Sequence, residues 1–293
     1  MDAAQLKTYM AERAALIERE LEAWLPSADE APRELHRAMR YTALGGGKRL
    51  RPILALAAAE AVGGDSRCAL PAAVAIELIH NYSLIHDDLP CMDDDDKRRG
   101  LPTCHIAFGE ATALLAGDAL LTLAFEVPAA SAVKAAPGEA SLLARVAAEM
   151  ARAAGSRGMV GGQVLDLAAV GRRVSLDGLR AICARKTGGL FVAAVRAGAI
   201  LAGAGPEDFA ALTTYAENLG LAFQVTDDIL DWPGRTSGPE LVCGASFPAL
   251  LGVERSRELA QETTAAAKAA LARLGDRGEA LAMLANLVVA RST

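Results

Sequence analysis

Residues 80–100 read HNYSLIHDDLPCMDDDDKRRG. An apolar run ends in two carboxylates, a proline redirects the chain, a run of aspartates follows, and Lys97, Arg98 and Arg99 reverse the sign of the charge. His80, Leu84, Asp87 and Asp88 stand at i, i+4, i+7 and i+8, so a helix puts the histidine and two acids on one face before Pro90 ends it. Asp93, Asp94, Asp95 and Asp96 can then fold back toward Asp87. An acidic run is more often a solvated loop or an interaction tail. This one closes the apolar segment from Ala72 to Ile79, deep in the chain, and that position argues for a built site.

A second acidic stretch supplies the partner. In LGLAFQVTDDILD, residues 219–231, Gln224, Asp227, Asp228 and Asp231 fall at i, i+3, i+4 and i+7 on one helical face. Leu221, Phe223, Val225, Ile229 and Leu230 make the surroundings apolar, so three mutually repelling carboxylates are costly to desolvate unless a cation joins them. Oxygen ligands with no nearby cysteine, and no histidine on that helix, favour magnesium or manganese over zinc. Two facing carboxylate clusters holding several magnesium ions would grip a diphosphate that an acidic pocket alone repels.

The cations supply the complement. GGGKRLRP, residues 45–52, offers a glycine loop with Lys48, Arg49 and Arg51 just before a helix that Pro52 can open, an arrangement suited to phosphate. Its glycines miss the P-loop spacing, and alone it reads more readily as a loop with solvated cations. Arg98 and Arg99 follow the acids directly, and Lys186 in RKTGG adds a further contact.

Bulk properties agree with a helical enzyme. The 293 residues are 52% hydrophobic with mean hydropathy +0.23, enough for a large core, while aromatics at 4% and abundant Ala and Leu favour helix packing over strands. Net charge −6 and pI about 5.4 exclude a general nucleic-acid or anionic-membrane surface. The odd set Cys68, Cys91, Cys104, Cys183 and Cys243 contains no CxxC pair, which points away from a disulfide framework and toward the reducing cytoplasm. The N-terminus has no signal-type apolar run, and stretches such as 53–62 fall short of the roughly 20 residues needed to span a bilayer.

Leu6, Met10, Leu16 and Leu21 predict a first helix ending before Pro26, and Pro32 opens a second that the glycines at 45–47 interrupt. Helices are expected over 52–62, from 71 toward Pro90, and over 109–134, 138–155, 175–203, 206–232, 246–252 and 254–291. With no long polar linker, residues 1–293 read as a single all-α domain.

Together, GGGKRLRP, HNYSLIHDDLPCMDDDDKRRG, GEATALLAGDALL, RKTGGL and FQVTDDILD resemble, block by block, the trans-isoprenyl diphosphate synthases, nearest their bacterial farnesyl diphosphate synthases, over about residues 35–260. The resemblance implies an isoprenoid-synthase-type helical barrel around a deep central cavity, a homodimer, and up to three magnesium ions. It assigns Asp87, Asp93 and Asp227 as main metal ligands, with Asp88, Asp228 and Asp231 as further ligands or water-holding neighbours. Lys48, Arg51, His80 and Arg99 then resemble the isopentenyl diphosphate site. Arg98, Lys186, Thr187 and Gln224 resemble the allylic diphosphate site. Asp87, Asp93, Asp227, Arg98 and Lys186 are the expected catalytic set, and His80 is assigned to binding, since the departing diphosphate accepts the proton.

Product length is a steric matter. Tyr82 and Ser83 lie about one helical turn before Asp87, about 6 to 8 Å along the axis. An aromatic there, with the two extra residues of DDLPCMD, resembles the farnesyl synthases and implies a C15 product; geranyl and geranylgeranyl diphosphate are the alternatives. After Asp231 the pattern departs from the family: residues 232–252 are shorter and no lysine occurs before Lys268. Arg235 is the candidate replacement, and a weakly active or non-catalytic subunit is the reading that this departure leaves open. A terpene cyclase fits less well with the isopentenyl-site cations, and an HD-type phosphohydrolase would need histidines at spacings that His36, His80, His86 and His105 do not provide.

Overall fold

The computed structural model describes residues 2–232 and 246–290. Its helices are α1 (Ala3–Trp24), α2 (Arg33–Ala43), α3 (Leu50–Ala61), α4 (Leu70–Asp87), α5 (Cys104–Phe108), α6 (Glu110–Lys134), α7 (Pro137–Ala154) and α8 (Met159–Ala169). They continue with α9 (Leu176–Cys183), α10 (Gly189–Leu201), α11 (Pro206–Leu230), α12 (Phe247–Leu251), α13 (Val253–Ala270) and α14 (Glu279–Val289). Among the described residues the strands are a two-residue pair, β1 (Lys97–Arg98) and β2 (Leu101–Pro102), antiparallel with Arg98 opposite Leu101. The fold is all-α.

Burial follows from which helices are apolar all round. In α3 every residue from Pro52 to Ala59 is buried, in α4 the run Ala72 to Ile79 is buried, and α10 buries residues on every face. Such helices have no polar stripe to offer water and must lie inside. α10 packs on α3, α11 and α7, α4 packs on α6 and α3, and α13 covers α11. Local signals set the ends: Asp2 and Gln5 form a capping box on α1, while Pro71, Pro137 and Pro206 occupy first turns of α4, α7 and α11.

Three expected helix boundaries are corrected. The span 175–203 is interrupted at Ala184–Gly188 by a π turn, and the span 254–291 by a 3₁₀ segment, Ala272–Gly278, in which Gly275 takes φ +54°. Between 156 and 174, where no helix was expected, α8 forms despite Gly161 and Gly162. Two stretches also exceed the apolar lengths expected from the sequence: Ser66–Asp87 and Glu110–Lys134 are each long and apolar enough to cross a membrane by length and composition. The first is mostly buried by its own protein, and it packs along the second.

Candidate active site

A cavity of about 870 Å³ lies between α3, α4, α8, α11 and the π turn. Its lining includes Lys48, Arg51, His80, Tyr82, Ser83, Asp87, Arg98, Arg99, Lys186, Thr187, Gln224 and Asp227. Lys48 and Asp227, 179 positions apart in sequence, thus line the same cavity. Apolar side chains, among them Met159, Val160, Val164, Leu167 and Leu190, line the remainder. The cavity lining therefore combines charged and apolar side chains.

Each DD pair splits its work. Asp87 and Asp227 line the cavity, whereas Asp88 and Asp228 turn into the fold. Asp88 is 3% exposed and its Oδ1 accepts from Arg98 Nε at 2.6 Å; Arg98 also reaches Asp95 at 3.0 Å. Asp228 accepts from Gln224 Nε2 at 2.7 Å and from the Phe247 backbone N–H at 2.9 Å. Asp88 thus anchors the hairpin to α4, and Asp228 anchors the start of α12 to α11. Replacing Asp88 by Ala is expected to lower unfolding free energy by about 2 kcal/mol, the scale of a lost charged hydrogen bond, measurable by urea denaturation.

The chain after Pro90 does turn back on α4, with the Asp93 N–H donating to the Asp87 carbonyl at 2.8 Å and the N–H groups of Met92 and Asp94 donating to the Leu89 carbonyl. Asp93 and Asp231 are exposed, the latter as the C-cap of α11. Burial pushes the Asp87 carboxyl up to about 6; Lys186 opposes the shift and Asp93 adds to it. That is an oxygen donor lacking sufficient positive charge.

Among the described residues no three acidic, histidine or cysteine side chains form a ready-made metal cage. Magnesium is commonly held by one or two carboxylates plus water and substrate phosphates, and Asp87 with Asp227 at the cavity wall fits that pattern.

The cation half is built on α3 and α4. Arg51 stacks its guanidinium 4.6 Å from the Phe191 ring centre and lies 3.5 Å from His80 Nε2. Burial lowers Arg51 to about 10, partly offset by Glu77 and Asp227, so it stays cationic at neutral pH. Its Nε is buried and has no hydrogen-bond partner among the described residues. Burial, then Arg51, Arg99 and Arg98, holds His80 well below the usual imidazole range, so it faces the cavity neutral. Gly47, at φ +127°, makes room for Arg99: a Cβ there would sit 2.9 Å from the Arg99 guanidinium carbon, and that side chain donates to the Gly46 carbonyl.

The π turn carries the other half. Lys186 Nζ pairs with Asp166 of α8 at 2.6 Å, and Thr187 Oγ1 donates to Gln224 Oε1 at 2.5 Å. The widened turn sits against α8 at Gly162, where a Cβ would lie 2.3 Å from the Lys186 backbone nitrogen. Gly162→Ala is expected to cost about 2 kcal/mol of stability through overpacking, read as a lower urea midpoint, and to displace Lys186.

Sequence reasoning missed α8. Gln163 lines the cavity with a buried, unpartnered Oε1, and Asp166 positions Lys186. The signal was a polar pair at i, i+3 inside the apolar run MVGGQVLDL, obscured by its two glycines. His86, weighed only as a phosphohydrolase ligand, packs edge-on to Tyr82 at 5.7 Å with Nε2 3.1 Å from the Leu114 carbonyl. Arg235 lies outside the described residues.

An all-α cavity whose lining brings carboxylates and cations together with apolar side chains suits a long apolar substrate that carries a charged head. Residues 32–239 match the polyprenyl synthetase family, and the chain belongs to that family. It is 48% identical to the farnesyl diphosphate synthase of Escherichia coli over 87% of this chain and 88% of that one. It is 42% identical to the Arabidopsis thaliana heterodimeric geranylgeranyl pyrophosphate synthase large subunit 1, over 97% and 79%. The apo FPP/GFPP synthase structure from Zymomonas mobilis superposes with TM-score 0.90 at 40% identity, covering 98% of this chain and all of that one. The chain is a trans-prenyl diphosphate synthase, and these relatives divide over product length.

Proposed function

We propose that this enzyme condenses isopentenyl diphosphate with dimethylallyl and then geranyl diphosphate, ending at C15 farnesyl diphosphate. The observation that carries the length is Tyr82: it lines the cavity one turn from Asp87, yet is only 4% exposed, held edge-on to His86. A ring so packed is a fixed wall. Ser83, also in the lining, ties its hydroxyl to the His80 carbonyl at 2.9 Å and leaves the neighbouring space open.

Asp87, Asp93 and Asp227 would hold magnesium, with manganese as a substitute and Asp88, Asp228 and Asp231 as orienting neighbours. Bound there, magnesium supplies Lewis-acid stabilisation of the departing diphosphate. Lys186, Arg98, Thr187 and Gln224 hold the allylic diphosphate, while Lys48, Arg51, His80 and Arg99 hold isopentenyl diphosphate. Lys186 and Arg98 stabilise negative charge as the allylic carbon–oxygen bond breaks. The isopentenyl double bond attacks the resulting allylic cation, and the proton lost from the adduct passes to the released diphosphate. His80, neutral and bordered by cations, serves as a hydrogen-bond partner rather than a base.

The test is product analysis with magnesium, isopentenyl diphosphate and geranyl diphosphate, followed by dephosphorylation and chromatography. A C15 alcohol as main product is expected; a C20 main product overturns the length and favours a geranylgeranyl synthase.

A homodimer in the cytoplasm completes the reading. The free thiols Cys68, Cys91, Cys104 and Cys183 suit a reducing compartment. Leu114, Val160, Val164 and Leu167 line the cavity and are exposed, with Leu115 and Leu165 exposed on the same two helices, which is apolar surface for a second copy to cover. Leu115→Glu is expected to convert a dimer to monomer by light scattering; an unchanged dimer removes this face from the interface.

A further inference from the structure

Arg49 stands between the two cations of the glycine loop, and its geometry differs from theirs. It is the N-cap of α3 at φ +50°, ψ +32°, a left-handed conformation that costs a residue with a Cβ about 1 to 2 kcal/mol. Glycine would hold that turn without strain. What Arg49 adds is its side chain, which is completely buried. Nη1 donates to Glu77 Oε1 at 2.7 Å, Nη2 donates to the Ala43 carbonyl at 2.9 Å, and Glu18 of α1 lies 3.7 Å from Nε. Glu77 is 2% exposed and is fixed in turn by Asn81, whose Nδ2 donates to the Glu77 backbone carbonyl at 2.7 Å and to Oε1 at 3.2 Å.

Arg49 therefore joins three elements, the end of α2 through the Ala43 carbonyl, the first turn of α3, and the middle of α4 through Glu77. Lys48 immediately precedes Arg49, Arg51 follows two residues on, and His80 lies three residues after Glu77. Every group assigned to isopentenyl diphosphate except Arg99 hangs from this joint. Glu77 also opposes the charge of Arg51 and of Arg99, so the cluster of cations carries its own buried counter-ion.

We propose that the buried Arg49–Glu77 pair is the positioning device of the isopentenyl diphosphate half-site, fixing Lys48 and Arg51 against His80 without touching the substrate. Arg49 and Glu77 border the cavity, but the guanidinium is taken up by Glu77 and the Ala43 carbonyl, so both act as positioning residues. The inference rests on the proposed assignment of Lys48, Arg51 and His80 to isopentenyl diphosphate.

The test replaces both partners at once with apolar residues, Arg49→Met with Glu77→Leu, because removing one alone strands a buried charge whereas removing both is often neutral for stability. The expected result is a thermal midpoint close to that of the parent, KM for isopentenyl diphosphate raised about tenfold or more through misplacement of the cations, and KM for the allylic substrate changed less than about twofold. Arg49→Lys keeps the charge but cannot span Glu77 and Ala43 together, and gives the same selective rise in smaller measure. Should the double variant fail to fold, Arg49→Lys decides alone. Equal changes in both KM values, or none in either, overturn the proposal. Lys48→Ala separates the two levels: if it leaves KM for isopentenyl diphosphate unchanged, the half-site assignment fails; if it raises that KM while the paired variant does not, the positioning role fails.

Discussion

Asp87→Asn lowers kcat by about a thousandfold, the scale of removing one preorganised electrostatic contact at a transition state, while the protein becomes no less stable. Both halves of that expectation come from where the carboxylate sits. Asp87 lines the cavity, and burial lifts its pKa from the ordinary carboxyl range to about 6. A folded-state pKa above the unfolded one means the fold favours the protonated form, so the ionised side chain costs stability at neutral pH. Asparagine imitates the neutral form. The thermal midpoint of Asp87→Asn at pH 7 to 8 should therefore equal or exceed that of the parent, and the difference should shrink as pH falls through about 6 toward the unfolded value, where the parent takes up its proton. Steady-state kinetics and melting curves across pH check both. A variant that keeps its turnover would remove Asp87 from the metal site.

On the proposed C15 assignment, Tyr82→Ala is expected to lengthen the product toward C20. The ring forms part of the cavity wall and of the buried core together, so its removal opens space next to the apolar lining. Truncating a buried aromatic also costs about 3 to 5 kcal/mol, and the variant will melt earlier. Tyr82→Phe separates wall from hydroxyl: it keeps the ring and should keep C15. Chromatography of the dephosphorylated products reads the outcome, and an unchanged profile for Tyr82→Ala would place the floor of the cavity elsewhere. His86 shares that wall, packed on Tyr82 and against the Leu114 carbonyl, and it holds the ring edge-on.

The sequence displayed the fold class and most of the site because those features are written in local patterns. Helical spacing of Gln224, Asp227, Asp228 and Asp231, and the run of alanine, leucine and isoleucine from 72 to 79, survive without knowledge of tertiary structure. What was not legible depends on neighbours. Asp87 and Asp88 are chemically identical in sequence, yet only Arg98, arriving on a hairpin ten residues later, decides that Asp88 serves the fold. The same holds for Asp228, bonded to the Phe247 backbone from the far side of an unrelated segment. No helix was expected between 156 and 174, yet Gly162 lets α8 touch the π turn at backbone distance, a use of glycine that only packing reveals. Arg49 looked like one more solvated cation of a glycine loop, and its burial against Glu77 needs the fold of α4 to become visible.

The proposed function requires Asp87 and Asp227, both in the cavity lining, to hold a diphosphate through divalent cations. Manganese bound to the purified enzyme, counted by electron paramagnetic resonance with and without a non-ionisable allylic diphosphate analogue, tests this most directly. Binding should strengthen sharply when the analogue is present and be lost in the Asp87→Asn, Asp227→Asn double variant. Manganese bound equally well by that variant would contradict the account.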